Sequence, residues 1–338
     1  MTVQEVLNAA RGNMGPYCKA CPVCDGKGCR NQIPGPGAKG SGTVAMRNYD
    51  AWQKVYLNLD TICENKPVDT SAALFGRKFR LPVFAAPIGA MKSHYGEKYG
   101  DLEYNDLLVA ACREAGIAAF TGDGLNIEIM RSAGAAIREN GGMGVPTIKP
   151  WNTEAVRERM ELVKDGKPFA IAMDIDAAGL PFLKNMTPPA GRKTADELRE
   201  IVDMTDVPFI IKGVMTVRGA LKALEAGAKG IVVSNHGGRV LDHCPSTCEV
   251  LPEIAAAVGD KMTVLVDGGI RTGHDVFKAL ALGANGVLIG RPVVNMVYGG
   301  GKEGVEAFVS KLQSELEDAM MMCGAHTVQE ITCDMVRK

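Results

Sequence analysis

Residues 209–239 read FIIKGVMTVRGALKALEAGAKGIVVSNHGGR, and the pattern of this stretch decides the fold. Two apolar runs, Phe209–Val214 and Gly230–Asn235, flank an amphipathic stretch, Val217–Ala226. Short runs rich in β-branched residues on either side of a helical pattern predict a strand–helix–strand unit with buried parallel strands. At the carboxyl end of the second run stand His236, Gly237, Gly238 and Arg239. Catalytic groups project from that end of the strands in an α/β barrel. Histidine has the ordinary pKa nearest neutrality, so His236 can take and return a proton there. Arg239 offers a rigid fork suited to a carboxylate.

The same alternation extends to both sides. Candidate strands are Leu81–Pro87, Ala118–Gly122, Gly142–Ile148, Phe169–Asp176, Phe209–Val214, Gly230–Asn235, Thr263–Gly269 and Gly286–Gly290. Helical patterns lie between them at Leu102–Ala115, Ile127–Glu139, Thr153–Lys164, Ala195–Met204, Val217–Ala226, Thr247–Val258 and Gly273–Leu282, and Gly304–Cys323 closes the series. Eight such units predict an α/β fold, a (β/α)8 TIM barrel over residues 81–338. A doubly wound open sheet is the alternative, but no GxGxxG follows the first strand. Residues 1–80 form an N-terminal segment with a Cys/Gly/Pro-rich head at about 18–40 and a helical lead-in.

Composition narrows the function. Of 338 residues 46% are hydrophobic, enough for a large core, and the net charge of −1 argues against a nucleic-acid or membrane-surface partner. No apolar stretch is long enough to span a bilayer. The start, Met1 to Glu5, lacks the basic and apolar regions of a signal peptide, so a cytoplasmic location is expected. Ten cysteines then read as reduced thiols or metal ligands.

Two later loops carry a second signal. Val266-Asp267-Gly268-Gly269-Ile270-Arg271 follows the seventh strand and Ile289-Gly290-Arg291-Pro292 the eighth. In barrels these loops often bind phosphate: glycine lets backbone N–H groups approach it and arginine adds a charge-assisted clamp. The pair predicts a phosphorylated ligand or cofactor.

With these residues in view, Ile210-Ile211-Lys212-Gly213-Val214, SNHGGR, Leu241-Asp242, VDGGIR, DVFKALALGANGV and IGRPVV together resemble the FMN-dependent α-hydroxy acid dehydrogenase/oxidase family. The close match covers residues 208–331 and a looser one reaches back to about Gly40. The resemblance implies FMN as cofactor and oxidation of a small 2-hydroxy carboxylate to the 2-oxo acid, with flavin N5 as hydride acceptor. His236 would be the base, Asp176 its carboxylate partner, and Arg239 the anchor for the substrate carboxylate. A carboxylate beside the imidazole would raise its pKa. Lys212 would stabilise negative charge on the reduced flavin, and Ser234 would contact the ring. Asp267, Gly268, Gly269, Arg271, Gly290 and Arg291 would hold the ribityl chain and phosphate. Ala85, Ala86 and Pro87 would lie against the flavin by backbone contacts. The resemblance also implies a homotetramer and leaves the electron acceptor open.

Departures are as informative. Gly144-Val145-Pro146 stands where the family carries Gln-x-Tyr, so the substrate-touching tyrosine is missing. Residues 177–183 contain no second substrate arginine, and the family's N-terminal tyrosine is not found before Gly40. Asp174 replaces a usual threonine and places an extra acid near the flavin; its spacing puts it on the same side of the strand as Asp176. Loop 177–193, with tandem Pro188 and Pro189, reads as a lid. A rebuilt substrate pocket keeps two other readings open: a non-redox FMN enzyme of the isopentenyl diphosphate isomerase kind, and a phosphate-binding barrel that senses a ligand.

In the head, Cys18, Cys21, Cys24 and Cys29 have a spacing that can converge on one zinc ion or an iron–sulfur cluster. The other reading is four reduced thiols or a thiol-redox switch. His94 and His243 stand alone and read as surface or loop histidines.

Overall fold

The computed structural model describes residues 1–187 and 189–338, so Pro188 of the expected lid lies outside the described residues. Its barrel strands are β1 (Val83–Ala85), β2 (Ala118–Thr121), β3 (Gly144–Ile148), β4 (Ile171–Asp174), β5 (Phe209–Val214), β6 (Gly230–Val233), β7 (Thr263–Asp267) and β8 (Gly286–Ile289). All neighbours are parallel, and the ring closes through β8 on β1. Around it lie α1 (Asp101–Glu114), α2 (Glu128–Glu139), α3 (Thr153–Lys164), α4 (Ala195–Val202), α5 (Val217–Glu225), α6 (Thr247–Val258), α7 (Gly273–Ala281) and α8 (Arg291–Cys323). The fold is the expected TIM barrel. Sharp helix starts explain the close agreement at α4, α6 and α7, where Thr194/Glu197, Ser246/Glu249 and Thr272/Asp275 form capping boxes.

Among the boundaries that differ from expectation, three have a clear backbone reason. β7 stops at Asp267 because Gly268 and Gly269 take left-handed φ of 89° and 88°. β4 stops at Asp174, where a 3-10 turn, Ile175–Gly179, begins. Asp174 and Asp176 therefore do not share a strand face, and the expected pairing of the two acids on one side is corrected. The final helix starts at Arg291 instead of Gly304, broken at Gly301 (φ 54°, ψ −132°). Among the described residues no helix is long and apolar enough to cross a membrane.

Alternation along the strands sorts the core into two layers. Phe84, Phe120, Val145, Ala172, Ile210, Val232, Leu265 and Leu288 fill the barrel, while Ala85, Ala119, Met173, Ile211, Val233 and Val266 pack outward under the helices. Phe79 from the hairpin Ala72–Leu74/Arg77–Phe79 meets Phe84 edge-on, ring centroids 5.0 Å apart. Two or four residues further along the inward rows come Ala86, Lys149, Asp174, Lys212, Ser234 and Asp267, the ring at the upper end of the barrel. The N-terminal helix Val3–Asn13 packs along α8, and helix Thr43–Gln53 packs beside the loop after β6. The head between them crosses the barrel mouth.

Candidate active site

The centre of the site is built by glycines. Gly213, φ 102°, shifts the register between β5 and β6, and a Cβ there would lie 2.5 Å from Cγ of Asp176. Only glycine lets Asp176 approach under His236. The Nδ1 of His236 is 3.0 Å from Oδ1 of Asp176. His236 itself has a left-handed φ of 57°, a conformation that costs a non-glycine residue about 1–2 kcal/mol. Neighbouring contacts enforce it. Its backbone N–H donates to Ser234 Oγ at 3.1 Å, and the side-chain amides of Asn235 and Asn48 donate to each other at 2.8 Å. At Gly238 a Cβ would meet the Cβ atoms of Ala38 and Val44 at 2.8 Å, so the loop after β6 closes tightly under the head.

Electrostatics keep this histidine neutral. Burial lowers its pKa below the ordinary 6.5; Asp176 pulls it up and Lys212 pushes it down, and the net direction is down. The expected upward pull of the carboxylate is present but is outweighed by burial and the nearby ammonium, neither of which the sequence revealed. Burial pushes Asp176 up, yet His236 and Lys212 hold it below the ordinary carboxylate range. Ionised Asp176 therefore accepts from Nδ1–H of a neutral imidazole, leaving the Nε2 lone pair for a proton.

Two ion pairs flank this dyad. Lys212 Nζ lies 3.6 Å from Asp267 Oδ2, and burial is outweighed by Asp267, Asp176 and Asp174, which keep the ammonium charged. Lys149 Nζ contacts Asp174 Oδ2 at 2.5 Å. Sequence reasoning missed Lys149, although the inward row Val145, Thr147, Lys149 could have revealed it. Its backbone N–H donates to Asp123 Oδ2, a carboxylate also bound by Trp151 Nε1 at 2.7 Å and Arg159 Nε at 3.2 Å. The extra acid Asp174 is consequently neutralised by Lys149 and does not line the cavity.

A cavity of about 600 Å³ opens above this ring. It gathers Ala86, Pro87, Lys212, His236, Arg239, Asp267, Gly268, Gly269, Arg271, Gly290 and Arg291, as expected. Three further residues named from the sequence do not line it with their side chains, and Asp176 instead pairs with His236 as expected. Ala85 points outward to the helix layer, as alternation requires, Ser234 is buried beneath the His236 loop, and Asp176 stands behind His236. Leu180, Pro181, Phe182, Leu183 and Met186 from the expected lid form an apolar wall, and His94 and Lys149 join the lining. His94 is thereby corrected from a surface histidine to a cavity one. His243 is exposed.

The head roofs the arginine-lined end. Arg239 Nη1 donates to the carbonyls of Gly35 (2.7 Å) and Gly37 (2.8 Å), Arg271 Nε to Cys24 (2.7 Å) and Arg291 Nη1 to Pro36 (3.4 Å). The metal centre expected at Cys18, Cys21, Cys24 and Cys29 is not formed: among the described residues no three His, Cys, Asp or Glu side chains are arranged to hold a metal ion. Cys18 Sγ points to Asn295 Oδ1 at 3.6 Å, and burial pushes its thiol up to about 12, which keeps it protonated.

Comparison with known proteins gives this geometry a context. The family model described as FMN-dependent dehydrogenase matches residues 36–181 and 173–338. The chain belongs to the FMN-dependent dehydrogenase family. It is 31% identical to the 2-hydroxyacid oxidase of Dictyostelium discoideum (86% of this chain, 81% of that protein) and 32% identical to the 4-hydroxymandelate oxidase of Amycolatopsis orientalis (86% and 89%). With peroxisomal (S)-2-hydroxyacid oxidase GLO3 of Arabidopsis thaliana identity is 48%, over 43% of this chain and 39% of that one. Among solved structures, mandelate oxidase with benzoyl-formic acid superposes with a TM-score of 0.79 at 28% identity, covering 99% and 97% of the two chains.

The cavity of this family member fits FMN in its own right. Arg271 and Arg291 with the turn at Gly268 and Gly269 provide donors for a phosphate. Asp267 Oδ1 is buried and, among the described residues, has no hydrogen-bond partner, which suits a hydroxyl donor such as the ribityl chain carries. Charged Lys212 supplies the cation that an electron-rich flavin edge requires.

Proposed function

We propose that this member of the family oxidises a 2-hydroxy carboxylate with an apolar side chain to the 2-oxo acid. The single observation that carries the reading is the neutral His236, oriented by ionised Asp176 at 3.0 Å, on the wall of a cavity that also holds Arg239 and Lys212. Bound FMN supplies the two-electron acceptor. His236 Nε2 takes the hydroxyl proton, and Asp176 stabilises the imidazolium that results. Lys212 holds positive charge where negative charge develops, Arg239 pairs with the carboxylate, and Arg271, Arg291 and Asp267 bind the cofactor tail. The wall of Leu180, Phe182, Leu183 and Met186, facing Leu125 and Ile129, excludes water and supports an apolar substituent on C2. The relatives' names, 2-hydroxyacid oxidase and 4-hydroxymandelate oxidase, agree with that class.

Anaerobic mixing of the purified flavoprotein with aliphatic and aromatic 2-hydroxy acids tests the reading. The expected result is bleaching of the flavin absorption together with one equivalent of 2-oxo acid, fastest for apolar side chains. No bleaching by any acid in the panel overturns it and favours non-redox flavin chemistry.

A further inference from the structure

We propose that His94 is the second half of the substrate-carboxylate clamp, its Nε2–H and Arg239 donating to the same anion. The proposal rests on the 2-hydroxy acid reading above.

His94 lies in the short helix Met91–Tyr95 after β1, on the wall of the cavity that also exposes His236 and Arg239. Two groups address its ring. The backbone N–H of Gly35 points at Nδ1 from 3.1 Å, and Nη2 of Arg239 lies 3.2 Å from Nε2. Both are donors. A neutral imidazole has one lone pair and one N–H, so it can accept from only one of them. The ring is neutral, because burial and the Arg239 charge push its pKa down to about 4.

The Gly35 N–H is a backbone donor whose direction the chain sets, so Nδ1 is the acceptor and Nε2 carries the hydrogen. Nε2–H and the Arg239 guanidinium then face each other as two donors without an acceptor. Choosing the other tautomer only moves the clash to Gly35. A carboxylate oxygen between Nε2 and Nη2 satisfies both donors at once.

Arg239 also needs such help. Its Nη1 is occupied by the carbonyls of Gly35 and Gly37, so it cannot offer a carboxylate the whole of its fork. The tyrosine and second arginine that the family resemblance leads one to expect are absent, and a neutral N–H donor beside Arg239 supplies part of what they would. The same two donors could instead hold a phosphate oxygen of FMN, so the test must separate the two anions.

The test uses FMN-loaded enzyme with His94→Phe, which keeps ring volume and removes both nitrogens, and His94→Gln, which restores a donor near Nε2. Binding of a 2-oxo acid and of its uncharged amide is read from the perturbation of the flavin spectrum, alongside KM, kcat and FMN affinity. His94→Phe is expected to weaken the carboxylate about tenfold or more and to raise KM likewise, with the amide, FMN affinity and kcat little changed. His94→Gln recovers most of the loss. Equal weakening of acid and amide, or no weakening of either, overturns the proposal. Loss of FMN affinity with unchanged carboxylate binding overturns it too and assigns the donors to the cofactor phosphate. Because binding is read without turnover, this contrast stands even if no 2-hydroxy acid bleaches the wild-type flavin, a result that would defeat the reading it rests on.

Discussion

The two sides of the cavity are assembled by different means. From β5 to β8 the groups come from strand ends and the glycine turns that follow them: Lys212, His236, Asp267, Arg271 and Arg291 all stand within a few residues of a strand end. From β1 to β4 no glycine-turn motif marks the groups, and their partners identify them. Lys149 is held to Asp174, Asp123 is held by Arg159 and Trp151, and His94 faces Gly35 and Arg239. The first side carries the residues that local motifs announce, His236 among them, although Asp176, Cys24 and Pro36 elsewhere in the chain also hold them. The second has no such motif, and its pairings reveal it.

Breaking each side separately sharpens this contrast. On the first side, His236→Ala should lower the rate of flavin reduction by about 10²–10⁴-fold while FMN stays bound, as stopped-flow absorbance will report. A wild-type rate would remove the base from this side altogether. On the second side, Lys149→Met leaves buried Asp174 without its direct partner and with only Lys212 nearby, and denaturant unfolding should show a loss of about 3 kcal/mol. Recovery in Lys149→Met/Asp174→Leu would confirm that the pair, and neither partner alone, sets the cost. Arg291→Ala should weaken FMN by about 10–100-fold in a binding titration, with the circular dichroism of the fold unchanged. Smallest is Ser234→Ala, which removes the acceptor of the His236 N–H and should cost about 1 kcal/mol of stability. A larger cost would mean that Ser234 does more than support the loop.

Sequence periodicity conveyed the barrel well because each strand is a short β-branched run buried on both faces, as in Gly230–Val233 and Thr263–Asp267. It was weakest where strand ends turn. Asp174 and Asp176 looked like one face until the 3-10 turn at Ile175 separated them, one to Lys149 and the other to His236. Ala85 was legible as strand but its outward direction needed the register, which Phe84 and Ala86 fix. The head was the least legible. Its cysteine spacing suggested a metal, whereas the backbone carbonyls of Cys24, Gly35, Pro36 and Gly37 are what the arginines use. Carbonyls are present at every position, so composition carries no trace of such contacts.

The central claim is that a neutral His236 is the base, and the pH dependence of kcat/KM for flavin reduction tests it most directly, since that parameter reports the free enzyme. Protonation removes the lone pair, so activity falls as pH drops through the His236 pKa. Burial and Lys212 place that pKa below the ordinary 6.5. The account predicts a rate that is flat through neutrality, with its acid limb centred below pH 6.5. An acid limb centred at pH 7 or above would mean a histidine charged at neutrality, and would contradict it.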